Sequence, residues 1–440
     1  MKTKVIVIGG GAAGLMAAGT AASIGFEVTL LEKKERVGRK LAISGKGRCN
    51  ITNDADIETI IANTPGNGNF LYSTLYSYSN ADIMAFFEAQ GVPLKVERGG
   101  RVFPVSDNAK DVVDALRNFA TKNGAKILED TPVKRILTNV AASAASNSDA
   151  GAVSGVELVN GKKLFADKVI IATGGASYTG TGSTGDGYRF AREVGHTVTP
   201  LMPSLVPLVS NTTWVRELQG LSLKNVAVVF RAGKKKIYSD FGEMLFTHFG
   251  VSGPLVLSAS RHLLDYDYSG IEMFIDLKPA LDEKKLDERI LRDFSKIQNR
   301  QFCNALDELL PQKLVPVVIA LSGIAPEKKV NSITKEERRT IVGLLKNLSF
   351  SIDGARPLVE AIVTAGGVET DEINPSTMES KLVPGLYFAG EVIDVDAYTG
   401  GFNLTIALST GHTAGQIRGQ SQIGGQSQIG GQTQIGDGFK

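Results

Sequence analysis

The sequence predicts an α/β protein with a parallel, Rossmann-like sheet and a second domain inserted into it. Apolar runs at 5–8, 168–172 and 385–389 each end at a glycine turn, which is typical of parallel strands buried on both faces. From residue 203, between the second and third runs, short β-like stretches are followed by helical periodicity. Both ends of the chain are therefore expected to build one α/β domain, and the middle a β-barrel-like plus helical domain.

The first βαβ unit carries a glycine pattern suited to a dinucleotide. The strand at 5–8 leads through Gly9, Gly11 and Gly14 into a small-residue helix over 12–23, and a second strand ends at Glu32. Gly9 makes the tight turn, Gly11 lets a pyrophosphate reach the helix N-terminus, and Gly14 allows close packing on the strand. Glu32 is expected to accept hydrogen bonds from ribose hydroxyls, so the unit predicts an ADP-containing cofactor.

The segment 36–53 is too rich in Gly, Arg, Ser and Asn to pack as a core element. We expect a loop with many backbone donors beside the cofactor. Its cations, Arg39, Lys46 and Arg48, either face the cofactor or are solvated loop residues. Helical periodicity then predicts covering helices at 80–90 and 107–123.

A series of short strands indicates which cofactor is bound. Strands are predicted at 126–128, 133–137, 153–158 and 163–165, with an enlarged Ala/Ser-rich loop near Ala141, before the apolar run that ends in Thr173-Gly174-Gly175. This order is typical of flavoproteins with two dinucleotide-binding folds. It shifts the expected cofactor from a nicotinamide to a flavin.

A second glycine pattern, Gly180, Gly182 and Gly185, does not predict another nucleotide fold. The preceding strand ends several residues earlier, and the strand-like stretch after the next helix closes at Pro200 without an acidic residue. We expect a glycine loop that opens a helix near Asp186 and lines the same cavity.

The expected domains are 1–200, the first part of the FAD-binding domain; 201–350, the inserted cap or substrate domain; 351–417, the second part of the first domain; and 418–440, a tail. In 351–417, Glu391 is suited to accept from ribityl hydroxyls, and Gly400-Gly401 open a helix whose N-terminus faces the flavin pyrimidine carbonyl. The tail repeats GQSQIG-like hexapeptides and is either disordered or a short strand stack.

Composition argues against several classes of protein. The 48 basic and 46 acidic residues give a net charge of +2 without a basic stripe, so a nucleic-acid partner is not expected. The run 234–236 of three lysines predicts a solvated hairpin tip. Cys49 and Cys303 make neither a disulfide framework nor a metal-ligand spacing, and no run of about eighteen apolar residues suggests a membrane span. We therefore expect a cytoplasmic protein with a small-molecule substrate; the sequence does not indicate the oligomeric state.

Six motifs in one order give the chain a resemblance to a known family. They are VIVIGGGAAGLMAA, SGKGRCNITN, ATGGASYTGTGSTGDGY, FTHFGVSGP, TAGGV and GLYFAGEVIDVDAYTGGFNL. Over residues 4–415 the chain resembles the BaiN-like (YhiN-like) family of FAD-binding oxidoreductases. The resemblance implies FAD held by both ends of the chain, an inserted domain closing over the flavin, and activity as a reductase of unsaturated bile-acid intermediates or as an amino-ketone oxidase.

The motifs and the resemblance together select the expected FAD-binding residues. They are Gly9, Gly11, Ala12, Ala13, Gly14, Glu32, Lys33, Arg39, Lys40, Ser44, Gly45, Gly47, Arg48, Cys49, Asn50, Val133, Ala172, Thr173, Gly174, Gly175, Gly390, Glu391, Gly400, Gly401, Phe402 and Asn403.

Three residues are candidates for the chemistry itself. His248 precedes Ser252, which we expect to cap a helix beginning at Pro254, and it is either a proton donor above the flavin or a structural histidine. Tyr398 is a second candidate of the same kind. Cys49 is either a small packed residue or a redox-active thiol near the isoalloxazine.

Three classes of function remain open from the sequence. A reductase would pass hydride from NAD(P)H, bound transiently at the flavin face, through FAD to an activated C=C bond of an apolar, steroid-like substrate. An oxidase would use O2 on a small amine or amino-ketone. A flavin-containing RNA-modifying or RNA-binding protein is disfavoured by the near-neutral charge.

Overall fold

The computed structural model describes residues 2–139 and 151–417. The expected loop enlargement near Ala141 and the repeat tail at 418–440 lie outside these residues. The strands are β1 (Lys4–Ile8), β2 (Glu27–Leu31), β3 (Thr52–Asn53), β4 (Leu94–Glu97), β5 (Arg101–Pro104), β6 (Lys126–Leu128), β7 (Val133–Thr138), β8 (Val153–Leu158), β9 (Lys163–Phe165), β10 (Lys168–Ile171), β11 (Met202–Ser204), β12 (Leu208–Val209), β13 (Ser222–Ala232), β14 (Lys235–Thr247), β15 (Gly250–Ser252), β16 (Ile271–Asp276), β17 (Leu348–Ile352), β18 (Gly354–Ala355), β19 (Val363–Ala365) and β20 (Leu386–Phe388).

The α-helices follow the same chain order. They are α1 (Ala12–Ser23), α2 (Arg39–Ile43), α3 (Ile57–Ala62), α4 (Tyr72–Ser77), α5 (Asn80–Ala89), α6 (Ala109–Lys122), α7 (Asp186–Glu193), α8 (Thr213–Glu217), α9 (Pro254–His262), α10 (Glu283–Lys296), α11 (Val315–Ser322), α12 (Lys335–Lys346) and α13 (Phe402–Gln416). None of the helices in the described ranges is long and apolar enough to cross a membrane.

The first domain is built on the predicted parallel sheet. Its strand order is β20-β10-β1-β2-β6, and every neighbouring pair is parallel. The carboxyl ends of parallel strands lie along one edge, so the glycine turns after β1, β10 and β20 meet there although they are far apart in sequence. The three-stranded meander β7-β8-β9 precedes β10, which confirms the predicted two-dinucleotide-fold order.

Helices α1 and α13 pack together against this sheet, because both present small residues at their interface. A Cβ atom added at Gly411 would lie 2.4 Å from the carbonyl oxygen of Ala13, and one added at Gly415 would lie 2.6 Å from that of Ala17. The backbones therefore approach too closely for any larger residue. This contact brings the N-terminal and C-terminal segments of the chain to one place.

The inserted domain has its own hydrophobic core, with residues from Leu208 to Ile352. Its sheet has the order β17-β16-β13-β14-β15-β12-β18. In a flat sheet the two edge strands would be about 29 Å apart, at about 4.8 Å per step. Only Asp353 separates β17 from β18, so the sheet must curl back on itself, as the predicted barrel-like class requires. Helices α10, α11 and α12 belong to the same core.

The chain crosses between the domains through a two-stranded link. Strand β11 leaves the first domain, β19 returns to it, and the two pair antiparallel with Met202 opposite Ala365 and Ser204 opposite Val363. The inserted domain is thus attached by two adjacent strands.

Local details of the inserted domain differ from the sequence predictions. The expected helix at 304–309 is a 3-10 turn at Phe302–Asn304 followed by turns. The expected cap Ser252 belongs to β15, and the N-cap of α9 is Gly253, which makes no side-chain hydrogen bond. The lysine run does lie at the tip of the β13-β14 hairpin, as expected.

Candidate active site

One cavity of about 410 Å³ lies at the carboxyl edge of the parallel sheet. The N-termini of α1 and α13 both open onto it, so free backbone N–H groups and the positive ends of two helix dipoles converge there. The predicted FAD-binding residues that line it are Gly9, Gly11, Ala12, Ala13, Glu32, Lys33, Arg39, Lys40, Ser44, Gly45, Asn50, Val133, Ala172, Thr173, Gly174, Gly390, Glu391, Gly400, Gly401 and Asn403.

The glycine turn after β1 has the geometry of a phosphate cradle. Gly9 has φ +107°, and a Cβ atom there would lie 2.4 Å from the carbonyl oxygen of Ala172. A Cβ at Gly14 would lie 1.9 Å from the carbonyl oxygen of Gly9, so Gly14 packs behind the cavity instead of lining it. A Cβ at Gly11 would meet nothing within 4 Å. The wall at Gly11 therefore faces open space at a helix N-terminus, where a pyrophosphate fits.

Glu32 stabilises the glycine turn after β1 through its carboxylate and also lines the cavity. Its Oε2 accepts from the backbone N–H of Gly10 at 2.7 Å, and its Oε1 accepts from that of Lys34 at 2.8 Å. Each carboxylate oxygen can accept more than one hydrogen bond, so lone pairs remain for the ribose hydroxyls expected at this position.

Lys40 and Glu391 join the two ends of the chain across the cavity. The Lys40 ammonium lies 2.7 Å from Glu391 Oε2 and donates to Ser177 Oγ at 2.9 Å, while Glu391 Oε1 accepts from the backbone N–H of Thr364 at 2.9 Å. Burial acts to raise the pKa of Glu391, but Lys40 and the hydrogen bonds outweigh it and leave that pKa lowered. Glu391 is thus a carboxylate fixed in position at neutral pH.

The other cations of the loop have different partners. Lys33 pairs with Asp186 at 2.6 Å, the predicted acid at the start of α7. Arg39 pairs with Glu35. Arg36 also lines the cavity, and the structure gives it no hydrogen bond or ion pair within the described ranges. Arg36 was not among the predicted residues and is the exposed cation best placed to meet phosphate charge.

Two polar atoms support the fit of a cofactor. Asn50 Oδ1 and Thr173 Oγ1 are buried without a hydrogen-bond partner in the described structure, and both residues line the cavity. A buried polar atom without a partner costs about 1 to 3 kcal/mol, so a ligand that supplies hydrogen bonds here would remove that cost. Together with the phosphate cradle and the carboxylates at Glu32 and Glu391, the donor set fits FAD.

Several predicted residues lie outside the cavity lining. Gly47 and Arg48 follow the segment that lines it, and Arg48 instead pairs with Glu97 at 2.5 Å and with Asp107 at 2.6 Å. Two carboxylates satisfy this guanidinium away from the cofactor, so we remove Arg48 and Gly47 from the candidate set. Gly175 lies behind Glu391, since a Cβ atom there would come within 2.6 Å of Glu391 Oε1.

Two further residues serve packing. Cys49 is fully buried, and burial raises the pKa of its thiol to about 12, which keeps it protonated and unreactive. Phe402 is buried at the first turn of α13. The packed-residue interpretation of Cys49 is the one that its surroundings favour.

His248 is exposed on the inserted domain and does not line the cavity. Its ring contacts Phe249 beside the turn between β14 and β15. The sequence placed it at a turn before α9, on the side covering the flavin, but this turn contributes no residue to the cavity lining. We therefore remove His248 from the candidate catalytic residues.

The structure brings together a pair that sequence reasoning did not join. Tyr398 lines the cavity, and its hydroxyl lies 2.5 Å from Nε2 of His262, the last residue of α9. Tyr398 was predicted as a candidate, but His262 carried no motif signal. The apolar residues Leu205, Ile362, Val363 and Val395, near the interdomain link, complete the wall on this side.

A parallel sheet with a glycine cradle at its carboxyl edge, in a domain that carries a separate inserted domain, defines a Rossmann-type FAD-binding oxidoreductase. A solved structure with a similar fold is the 3-ketosteroid delta1-dehydrogenase from Sterolibacterium denitrificans, with a TM-score of 0.53 and 14% sequence identity over 94% of this chain and 99% of that one. At this identity the likeness concerns the fold alone.

The chain belongs to the HI0933-like family: the family model described as the HI0933-like protein Rossmann domain matches residues 3–417. This confirms the resemblance carried by the six motifs. The chain is 32% identical to the 3-dehydro-bile acid delta(4,6)-reductase of Clostridium scindens, over 94% of this chain and 98% of the relative. It is 34% identical to the ribosomal RNA dihydrouridine synthase of Haemophilus influenzae, over 92% and 96%.

Proposed function

We propose that this oxidoreductase uses NAD(P)H and FAD to reduce a C=C bond conjugated to a carbonyl group, with a steroid-like acid as the first candidate substrate. The observation that carries the proposal is the continuity of the cavity. The phosphate cradle and the apolar residues Leu205, Ile362, Val363 and Val395 line the same space. A flat, apolar ring system could therefore lie against the flavin while water is excluded.

FAD, when bound, supplies hydride transfer, and the chain supplies binding and charge tuning. The N-terminus of α13 would favour negative charge on the flavin pyrimidine, since Gly400 and Gly401 open that helix onto the cavity. Lys40 and Glu391 would fix the ribityl side, because their ion pair spans the two chain ends. NAD(P)H would approach the flavin face transiently, as proposed from the sequence.

The names of the two relatives point to one kind of bond. A 3-dehydro-bile acid delta(4,6)-reductase acts on a ring C=C conjugated to a ketone. A dihydrouridine synthase saturates the C5=C6 bond of uracil, which is conjugated to the C4 carbonyl. Hydride addition to the β-carbon of such a system is the same chemistry in both cases, and this supports proposing the bond type for this chain.

A uracil ring in ribosomal RNA is the second candidate substrate. The observation that favours it is the relative of Haemophilus influenzae, which is as similar to this chain as the bile-acid reductase and also spans nearly all of it. Against it, the net charge of +2 on 440 residues provides little attraction for a polyanion. An RNA substrate would then have to be held by shape and local contacts more than by net charge.

Anaerobic stopped-flow experiments separate these functions. We expect NADH or NADPH to bleach the flavin of the purified holoprotein, and a 3-oxo-4,6-diene steroid acid to restore its colour, with one C=C bond of the diene saturated for each flavin reoxidised. Restoration by uridine-containing ribosomal RNA, with dihydrouridine detected by mass spectrometry, would favour the second candidate. Flavin that NAD(P)H does not bleach, together with peroxide release from an amine, would contradict the proposal and favour an oxidase.

A further inference from the structure

We propose that the hydroxyl of Tyr398 delivers the proton that must accompany the hydride, and that His262, reaching over from the inserted domain, resupplies that proton. This inference rests on the proposed reduction of a conjugated C=C bond. It adds a proton donor and a positioning residue to that reaction. The following contacts carry it.

Tyr398 is held rigidly at the cavity wall. Its backbone N–H donates to the carbonyl oxygen of Asn63 at 2.9 Å. Asn403 donates from Nδ2 to the carbonyl oxygens of Ala397 at 2.7 Å and Tyr398 at 3.2 Å, and its Oδ1 accepts from the N–H of Ala397 at 3.0 Å. A donor needs a fixed position relative to the reacting carbon, and this loop has one.

His262 is fixed from the other domain. Its ring stacks on Tyr238 of β14, with ring centroids 4.8 Å apart and planes 29° apart, and its Nε2 meets the Tyr398 hydroxyl at 2.5 Å. The next residue toward the N-terminus, Arg261, pairs with the buried Asp396 at 2.7 Å. Arg261 and His262, which are adjacent in α9, therefore bind residues 396 and 398 in one loop of the first domain.

The surroundings of His262 and Tyr398 favour the uncharged form of both side chains. Burial, with Arg261 adding to it, lowers the pKa of His262, and burial raises the pKa of Tyr398. The other charged or titratable groups near the pair are Asp396, Asp240 and Tyr238. At neutral pH the imidazole can then carry its single proton on Nε2 and donate to the phenol oxygen, which leaves the phenol O–H free to point into the cavity.

The proposed step balances as follows. Two electrons and a hydrogen leave NAD(P)H as hydride, pass by way of FAD and form a C–H bond at the β-carbon, while the C=C π bond breaks. The Tyr398 O–H bond breaks and its proton forms the C–H bond at the α-carbon. The Nε2 proton of His262 restores the phenol as Nδ1 takes one proton from solvent, and proton exchange with solvent then returns the neutral imidazole to its Nε2–H tautomer. The sum is NAD(P)H, one proton and C=C giving NAD(P)+ and CH–CH.

Tyr398 and His262 belong to different domains. Proton delivery would therefore require the inserted domain to be in contact with the first domain, as it is in this structure. Tyr398 belongs to the loop before α13, and His262 to the end of α9. Movement at the β11-β19 link would separate the two rings and leave the phenol without its relay. In this proposal, contact between the domains is needed for proton delivery, which belongs to the second half of the reaction.

The test compares Tyr398→Phe and His262→Gln with matched controls in the FAD-loaded protein. Tyr76→Phe and His248→Gln remove the same groups from exposed residues outside the cavity. We expect all four variants to keep their FAD content and their rate of bleaching by NAD(P)H. Tyr398→Phe should slow reoxidation by the conjugated substrate by about 100-fold or more, the usual contribution of a general acid. His262→Gln should slow it less and should change its pH profile.

A second measurement tests the contact between Tyr398 and His262 and does not require a turnover assay. The chain has four histidines, so the imidazole signals of a protein labelled with ¹⁵N-histidine can be assigned by substitution. We expect Tyr398→Phe to shift the His262 nitrogen signals and leave those of His248 unchanged. Unshifted His262 signals would overturn the pair, even if no substrate is found and the proposed function fails. If the wild-type protein reduces a substrate and Tyr398→Phe does so at the same rate, the proton-donor role is overturned while the function stands.

Discussion

At the residue scale, His196 shows how a buried titratable group links pH to stability. Its ring lies between Glu372 and Ser380, each at 2.8 Å, and packs edge-on against Phe388 at 4.8 Å. Burial lowers the pKa of His196 more than Glu372 raises it. The folded state therefore favours the neutral imidazole, whereas the unfolded chain takes up a proton near pH 6.5.

This difference predicts that the free energy of unfolding falls as the pH drops below about 6.5. In His196→Gln the loss of stability between pH 7.5 and 5.5 should be smaller than in the wild type, because the proton uptake on unfolding is removed; part of the slope should remain from His262, whose pKa is also lowered. Urea unfolding at the two pH values measures this. A slope in His196→Gln equal to that of the wild type would contradict the assignment.

Site residues could be predicted from sequence where backbone geometry dictated the residue type. Gly9 was predictable because its positive φ and its contact with the Ala172 carbonyl oxygen exclude a side chain, and Gly11 because it leaves the helix N-terminus open to a ligand. The role of a charged residue could not be predicted, because it depends on which opposite charge the fold brings near. Arg39 and Arg48 belong to one segment, 36–53, yet Arg39 lines the cavity and Arg48 pairs with Glu97 and Asp107.

At the scale of elements, the contact between α1 and α13 holds the site together. Both helices open onto the cavity, and their mutual distance is set by glycines on α13 that touch the backbone of α1. A small shift between these helices would move the phosphate cradle relative to the flavin end. The bounds of α1, α5 and α6 followed from periodicity to within two residues, but the pairing of α1 with α13 from opposite chain ends required the folded structure.

Gly411→Ala should therefore weaken FAD binding as well as stability. The added Cβ would lie 2.4 Å from the Ala13 carbonyl oxygen, so one helix must move, at a cost of about 1 to 3 kcal/mol in unfolding free energy. Thermal unfolding and the ratio of bound FAD to protein measure the two effects. Gly343→Ala in α12 is the matched control, because its Cβ would meet nothing within 4 Å and alanine favours a helix. Equal FAD content in Gly411→Ala and wild type would argue against the coupling.

At the scale of the whole molecule, a buried ion pair connects the inserted domain to the first domain. Asp396 is 1% exposed, and its Oδ2 accepts from Arg261 at 2.7 Å and from Ser204 at 2.8 Å. Arg261 comes from the inserted domain, Ser204 from the link, and Asp396 from the first domain. This junction fixes the domain arrangement around the cavity.

Arg261→Met should destabilise the protein by about 3 to 5 kcal/mol, because it leaves the Asp396 carboxylate buried without its counter-charge. We also expect faster limited proteolysis at the link, 202–204 and 363–365, since the inserted domain loses a contact. Lys285→Met is the control: its partner Asp282 is exposed and 3.6 Å away, and such surface pairs contribute about 0 to 1 kcal/mol. Similar losses in both variants would refute a special role for the junction.

The sequence alone determined the class of fold, the dinucleotide cradle and the family, because short-range geometry fixes glycine turns and apolar periodicity. The tertiary structure decided which polar groups face the cavity, since that depends on contacts between residues more than a hundred positions apart. Lys40 with Glu391 and His262 with Tyr398 are such contacts. No local pattern encodes either pair, because each partner is chosen by how the sheet edge and the inserted domain come together.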